Sequence, residues 1–174
     1  MTNHLPMPPH EELSKHLKYD PFAGIGIWLV KLSNRAPAGT IAGVANDEYW
    51  HIQYKNKLYK AHRLFWFLQT GQDPGPLTID HIDQNKLNNK FSNLRLATHH
   101  EQGQNKNERI NNTSGHRGIS WKKDKKKYHA RITHYGKKIH IGYYNTLAEA
   151  IFARQAKELE LFGEFSPLHQ LNND

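Results

Sequence analysis

The period of hydrophobic positions changes several times along the 174-residue chain. Gly26-Ile27-Trp28-Leu29-Val30-Lys31-Leu32 is rich in strand formers and predicts a strand. Tyr49 to Tyr54 and Leu58 to Lys60 flank the polar break Lys55-Asn56-Lys57, which predicts a hairpin. From Ala61 the period lengthens: Leu64, Phe65, Phe67 and Leu68 share one helical face, and Gly71, with Pro74 beyond it, stops the helix at Thr70. Trp28, Trp50 and Trp66 are expected in the core. Further on, His116 to Trp121, Tyr128 to Thr133 and Lys138 to Tyr143 are three short strand-forming runs separated by a lysine turn and by Tyr135-Gly136-Lys137. Thr146 and Glu149 form a capping box for a helix whose expected apolar stripe is Leu147, Ala150, Ile151, Phe152, Ala153 and Ala156, ended by Gly163.

These elements predict an α+β protein in two parts. Gly103 to Gly115 is polar, with four asparagines and Ile110 as its one large apolar residue, and is expected to be a linker with the boundary near residue 110. The parts are then 1–108 and 109–174. In the second, a three-stranded antiparallel sheet packs one face on the helix, and alternation turns Arg117, Arg131, Thr133, Lys138 and His140 to solvent on the other. No internal repeat is visible.

Charge sharpens the division. The net charge is +8, and residues 1–108 carry 12 Lys/Arg against 10 Asp/Glu, while residues 109–174 carry 12 against 6. Arg109 to His140 alone holds ten basic residues and the single acid Asp124, interleaved with aromatics, the electrostatic footprint of a nucleic-acid contact. The lysines from Lys122 to Lys127 suit phosphate, supplying affinity and salt dependence rather than sequence choice. There is no cysteine, so disulfides, thiolate nucleophiles and zinc-cysteine sites are excluded, and any metal must be held by oxygen or imidazole. No apolar run approaches the roughly 20 residues that span a bilayer, and Met1 to His10 has no signal-peptide core, so a cytoplasmic, intracellular location is expected.

Chemistry concentrates in the Asn- and His-rich stretch from Pro76 to about Asn107. Ile79-Asp80-His81-Ile82-Asp83-Gln84-Asn85 is followed by Asn93-Leu94-Arg95-Leu96-Ala97-Thr98 and His99-His100-Glu101-Gln102. Phosphodiester hydrolysis needs a base to deprotonate water and a cation to neutralise developing charge. A histidine can be the base and a carboxylate can hold Mg²⁺. Neighbours on a regular strand face opposite sides, so Asp80 and His81 reach one phosphate only if the chain bends. Asn85, Asn88 and Asn89 are expected to be turn formers first and nucleic-acid contacts second, and His62 a structural histidine.

The Asp80-His81 pair, the Asn93-Leu94-Arg95 triplet and the polar helix start after Thr98 resemble the ββα-metal motif of HNH endonucleases over about residues 78–107. The upstream segment Ala61-His62-Arg63-Leu64 resembles the region preceding that motif in phage and intron-encoded HNH proteins. The resemblance implies His81 and Asn93 as the catalytic pair, His81 as general base and Asn93 bracing the loop that holds it. It implies Asp80 as a ligand of one divalent ion, Mg²⁺ with Mn²⁺ able to substitute. The helix position that usually supplies a His or Asn ligand is here occupied by Gln102, whose longer side chain departs from the pattern; His100, Glu101 and Asn105 stay open as ligands. Arg95 is a candidate phosphate clamp, a strand-face salt bridge being its other reading.

Asn112 to Phe165 resembles the plant ethylene-response-factor type of DNA-binding domain, which also occurs in phage HNH endonucleases. This implies a sheet laid in the major groove, with Arg117, Ser120, Lys122, Arg131, Thr133, Lys138 and His140 toward DNA. Ser120, Arg131, Thr133 and His140 differ from the plant residues, so the target sequence cannot be transferred. The expected activity is site-selective, homing-type cleavage of double-stranded DNA. A DNA-binding regulator with a vestigial site is the alternative, which Gln102 keeps open. The sequence leaves the oligomeric state open, a monomer included.

Overall fold

A computed structural model describes residues 5–46, 48–105 and 114–168. The chain divides into two compact units, Met1–His99 and His100–Asp174. The expected boundary near residue 110 lies outside the described residues.

The first unit opens with helix α1 (His10–His16), strand β1 (Leu17–Asp20) and strand β2 (Ile25–Trp28), the strands forming an antiparallel pair. Glu11 and Glu12 lie in the first turn of α1, and Lys15 and His16 in its last, the order that complements the helix dipole. This helix was not expected: it has seven residues and buries one of them, Leu13, too little to display a period. The expected strand Gly26 to Leu32 is corrected. It ends at Trp28: the Leu29 N–H makes one more bond in register, to the His16 carbonyl, where the partner strand gives way to helix α1, and Leu29, Val30 and Leu32 are exposed.

Strands β3 (Val44–Ala45), β4 (Trp50–Tyr54) and β5 (Lys57–Lys60) form a second antiparallel sheet in that order. Lys55 and Asn56 both take positive φ, 47° and 61°, the two-residue turn that joins twisted strands without splaying them. Helix α2 (Ala61–Thr70) has the expected bounds, and Gly71 closes it at φ 71°. Leu64, Phe65 and Phe67 of α2 pack on Leu13, Leu17, Trp28, Ile52 and Tyr54 in one core. Trp28 is buried as expected, whereas Trp50 and Trp66 are half-buried.

Strand β6 (Thr78–His81) pairs antiparallel with β7 (Leu94–Ala97), Asp80 opposite Arg95 and His81 opposite Leu94. The Arg63 guanidinium donates to the Leu77 and Gly75 carbonyls at 3.0 and 3.1 Å and so ties α2 to the chain entering β6. Helix α3 (His99–Gln104) follows β7.

In the second unit β8 (Ile119–Lys122), β9 (Lys127–His134) and β10 (Lys137–Tyr144) form an antiparallel sheet with β9 in the centre, followed by α4 (Leu147–Phe162). Both halves of the Thr146–Glu149 capping box are present. Ile119, Ala130 and Ala150 are the buried centre between sheet and helix. Two expectations are corrected. The first strand begins at Ile119, not His116, because Gly118 takes φ 73° and breaks the extended chain, leaving Arg117 in the preceding turn. The buried positions of α4 are Ala150, Arg154, Glu158 and Phe162, while Phe152 is 74% exposed and Ala156 is also outside. The spacing of four aligns a buried Arg154–Glu158 ion pair with the apolar residues, so polarity along this helix misreports which face is covered.

Candidate active site

His81 ends β6 and is 4% exposed; Asp80, one residue earlier, is 5% exposed. Asp80 faces Arg95, whose Nε and Nη2 donate to its Oδ2 at 3.1 and 2.9 Å. His81 Nε2 lies 3.0 Å from Asn89 Oδ1, and Asn89 Nδ2 donates to the Leu87 carbonyl at 3.3 Å. That orientation makes Asn89 Oδ1 the acceptor, so Nε2 carries the ring proton and Nδ1 is the basic nitrogen.

The loop between β6 and β7 holds its shape through amide hydrogen bonds. Asn93 Oδ1 accepts from the Asp83 N–H at 2.9 Å, and Asn93 Nδ2 donates to Asp83 Oδ1 at 2.8 Å and to the Asn88 carbonyl at 2.7 Å. The Asn93 carbonyl accepts from the Ile82 N–H at 2.9 Å. Asp83 also accepts from the Asn85 N–H and from Asn88 Nδ2. Asn93 thus braces the loop, and Asp83 is a structural acceptor within it.

The first two strands fix Asn89 from the other side. The Tyr19 hydroxyl, on a ring stacked against Phe65 at 4.5 Å, donates to the Asn89 carbonyl at 2.7 Å. Gly24, at φ 72°, backs onto the Asn89–Lys90 peptide so closely that a Cβ there would stand 2.6 Å from the Lys90 nitrogen. His62 is also buried and meets His81 edge-on at 5.0 Å, while Tyr49 touches both rings. Asn89 was expected as a turn former first and a DNA contact second, not as a partner of the histidine. Nothing in a run of asparagines distinguishes the one that faces the histidine.

Burial is the largest influence on His81 and lowers its pKa below the ordinary imidazole value, opposed by the hydrogen bond to Asn89 and by the charges of Asp83 and Asp80. The ring is therefore neutral at pH 7 and able to accept a proton. His62 is pushed well below the usual range by burial, with the neighbouring His81 adding to the effect.

The oxygen donors suit a small hard cation. Asp80 is a carboxylate, no thiolate exists in the chain, and Mg²⁺ is held by one or two carboxylates while keeping several waters. Among the described residues no three His, Cys, Asp or Glu side chains gather as a ligand cluster. Gln102 lies on α3, in the other unit. In that unit the α3 residues His100 and Gln104 meet the β9–β10 turn, the His100 ring stacking on Tyr135 at 3.8 Å.

On the outer face of the second sheet, Arg131 stands opposite His140, Thr133 opposite Lys138, Ser120 opposite His129 and Lys122 opposite Lys127. Ser120, Lys122, Arg131, Thr133, Lys138 and His140 therefore share one face, as alternation requires, and Arg117 does not belong to a strand. Two further residues join them. His129 stacks on Tyr143 at 5.0 Å and contacts His140 at 2.9 Å. Parity with Arg131 could have placed His129 there; Tyr143 reaches this face only through the register shift between His140 and Gly142.

The HNH endonuclease family model matches residues 59–104, which run from β5 through α3. Protein 3.8 of Escherichia phage T7 is 35% identical over 113 residues, covering 63% of this chain and 93% of that protein. A protein of Acanthamoeba polyphaga mimivirus named as an HNH endonuclease is 33% identical over 150 residues, 77% of each chain. No solved structure gives a significant match. A hairpin, a histidine held at its end and a following helix, matched in this way, define a hydrolase of nucleic acids. The chain belongs to the HNH endonuclease family and is a DNA endonuclease. Among the described residues no helix is long and apolar enough to cross a membrane.

Proposed function

We propose that this chain is a site-selective, divalent-metal-dependent endonuclease in which His81 is the general base and the sheet of the second unit chooses the site, as a homing-type enzyme requires. The observation that carries the reading is the state of His81: buried, neutral, and held at 3.0 Å between Nε2 and Asn89 Oδ1. The neutral His81 ring accepts a proton from water, the water oxygen forms a new bond to phosphorus, and the ester P–O bond breaks. The leaving oxygen is then protonated by solvent. A bound divalent ion supplies charge neutralisation on the phosphate and leaving oxygen. Asp80 would hold it, and Gln102 is carried as the second ligand by the family resemblance alone. Mg²⁺ is the expected ion, with Mn²⁺ a working substitute.

Arg95 keeps Asp80 oriented through two donors to one oxygen, and in the complex its cation would stand beside the phosphate. Arg131, Thr133, Lys138 and His140, with Ser120 and Lys122 beside them, offer the second sheet's donors to base edges and phosphates, since a sheet can enter the major groove and arginine pairs bidentately with guanine. The test is incubation of the purified protein with supercoiled plasmid at low salt in Mg²⁺, Mn²⁺ or EDTA. Nicking or linearisation with either metal and none in EDTA supports the proposal; cutting that EDTA does not diminish overturns it.

A further inference from the structure

Beside His81 the first unit carries an open cleft of about 430 Å³ lined by Asn46, Glu48, Tyr49, His51 and Lys60. The Tyr49 ring forms its wall. Lys60 Nζ stands 3.8 Å from the centroid of that ring and Lys86 Nζ 4.7 Å from it. The same ring lies 6.5 Å from the ring of His81. Lys86 is paired with Glu48 at 3.2 Å, an exposed contact of the weak kind.

Two ammonium groups gathered on one aromatic ring repel each other, and among the described residues Glu48 is the one carboxylate lining the cleft. An arriving anion relieves that repulsion and can draw Lys86 away from Glu48. A nucleic-acid base would need the Tyr49 face that the two lysines cover, whereas a phosphate needs only their point charges. We propose that this cleft binds a backbone phosphate of the DNA strand being cut. The Tyr49 ring lies 6.5 Å from the His81 ring, so a phosphate held there neighbours the scissile one along the strand. The proposal rests on the reading of His81 as the base, and it adds a subsite that fixes the strand's register over that base.

The test measures binding, not turnover. In a His81→Ala background, the affinity for a fluorescent 20-base-pair duplex is measured by anisotropy across a salt series, with plasmid cutting by the same background followed separately. Losing a phosphate contact lowers the slope of log affinity against log salt by about one. Lys60→Ala with Lys86→Ala is expected to lower it by that amount, and Lys60→Arg with Lys86→Arg to retain it. Lys57→Ala, an exposed β5 lysine that does not line the cleft, is expected to leave it unchanged. Glu48→Gln is expected to tighten binding at low salt, a gain that misfolding cannot produce. An unchanged slope in the double alanine variant, an equal loss from Lys57→Ala, or weaker binding by Glu48→Gln overturns the subsite. Undiminished plasmid cutting by His81→Ala overturns the base assignment instead and leaves the slopes readable.

Discussion

Asn89 joins the His81 imidazole to the protein core: its side chain holds the ring and its carbonyl receives the Tyr19 hydroxyl. Asn89→Ala removes the ring's acceptor without adding bulk. Loss of such an orienting partner typically costs about 10- to 100-fold in activity, here expected in kcat with KM little changed. Because the Asn89 bond raises the His81 pKa against the effect of burial, the acid limb of the pH–rate profile should also move to lower pH in the variant. A purely structural role would lower activity without moving that limb. His62 gives a separate prediction. Its pKa is depressed in the folded protein, so the unfolded chain binds more protons once pH falls below its own value near 6.5. The stability that His62 contributes is therefore fully present above about pH 6.5 and is lost as pH falls toward the folded value, by at most about 1.4 kcal/mol per pH unit. Urea midpoints measured from pH 7.5 to 5 should fall accordingly, and His62→Gln should flatten the trend.

The turn between β1 and β2 and the loop between β6 and β7 behave as one buttress, with the Phe91 N–H donating to the Pro21 carbonyl at 2.9 Å and Gly24 set against the Asn89–Lys90 peptide. Gly24→Ala meets both a positive φ and backbone atoms that cannot yield cheaply, so a loss of about 1–3 kcal/mol is expected together with reduced kcat, read by thermal unfolding and plasmid cleavage. In α4, Glu158→Ala leaves Arg154 buried without its carboxylate and should cost about 3–5 kcal/mol, whereas replacing the pair by Met and Leu should be close to neutral. Elements whose packing follows their own periodicity were legible: α2, the β4–β5 hairpin and the capping box of α4 lie where the residue pattern places them. Those decided by partners far along the chain were not. α1 is too short to show a period, and β8 starts late because Gly118 turns. The buried stripe of α4 includes an ion pair that any polarity pattern assigns to solvent.

The same distinction runs through the candidate site. Asp80, His81 and Asn93 were visible because the motif is local and each member has a required residue type. Asn89 was not, because its importance comes from Tyr19, 70 residues earlier, and from a glycine's close approach. Tyr49 and the cleft lysines lacked any local motif. The positive excess of residues 109–174 and the single outer face formed by Arg131, Thr133, Lys138 and His140 support a division of labour between cutting and choosing. Arg131→Ala with His140→Ala should therefore spread the distribution of cut positions on genomic DNA while cleavage continues. Unchanged cut positions would remove the sheet from target choice. The most direct measurement compares plasmid cleavage by the unaltered chain and by His81→Ala, with duplex affinity determined alongside. Loss of a general base predicts a rate about 100- to 10,000-fold lower with affinity nearly unchanged; undiminished cutting by the variant would contradict the assignment of His81.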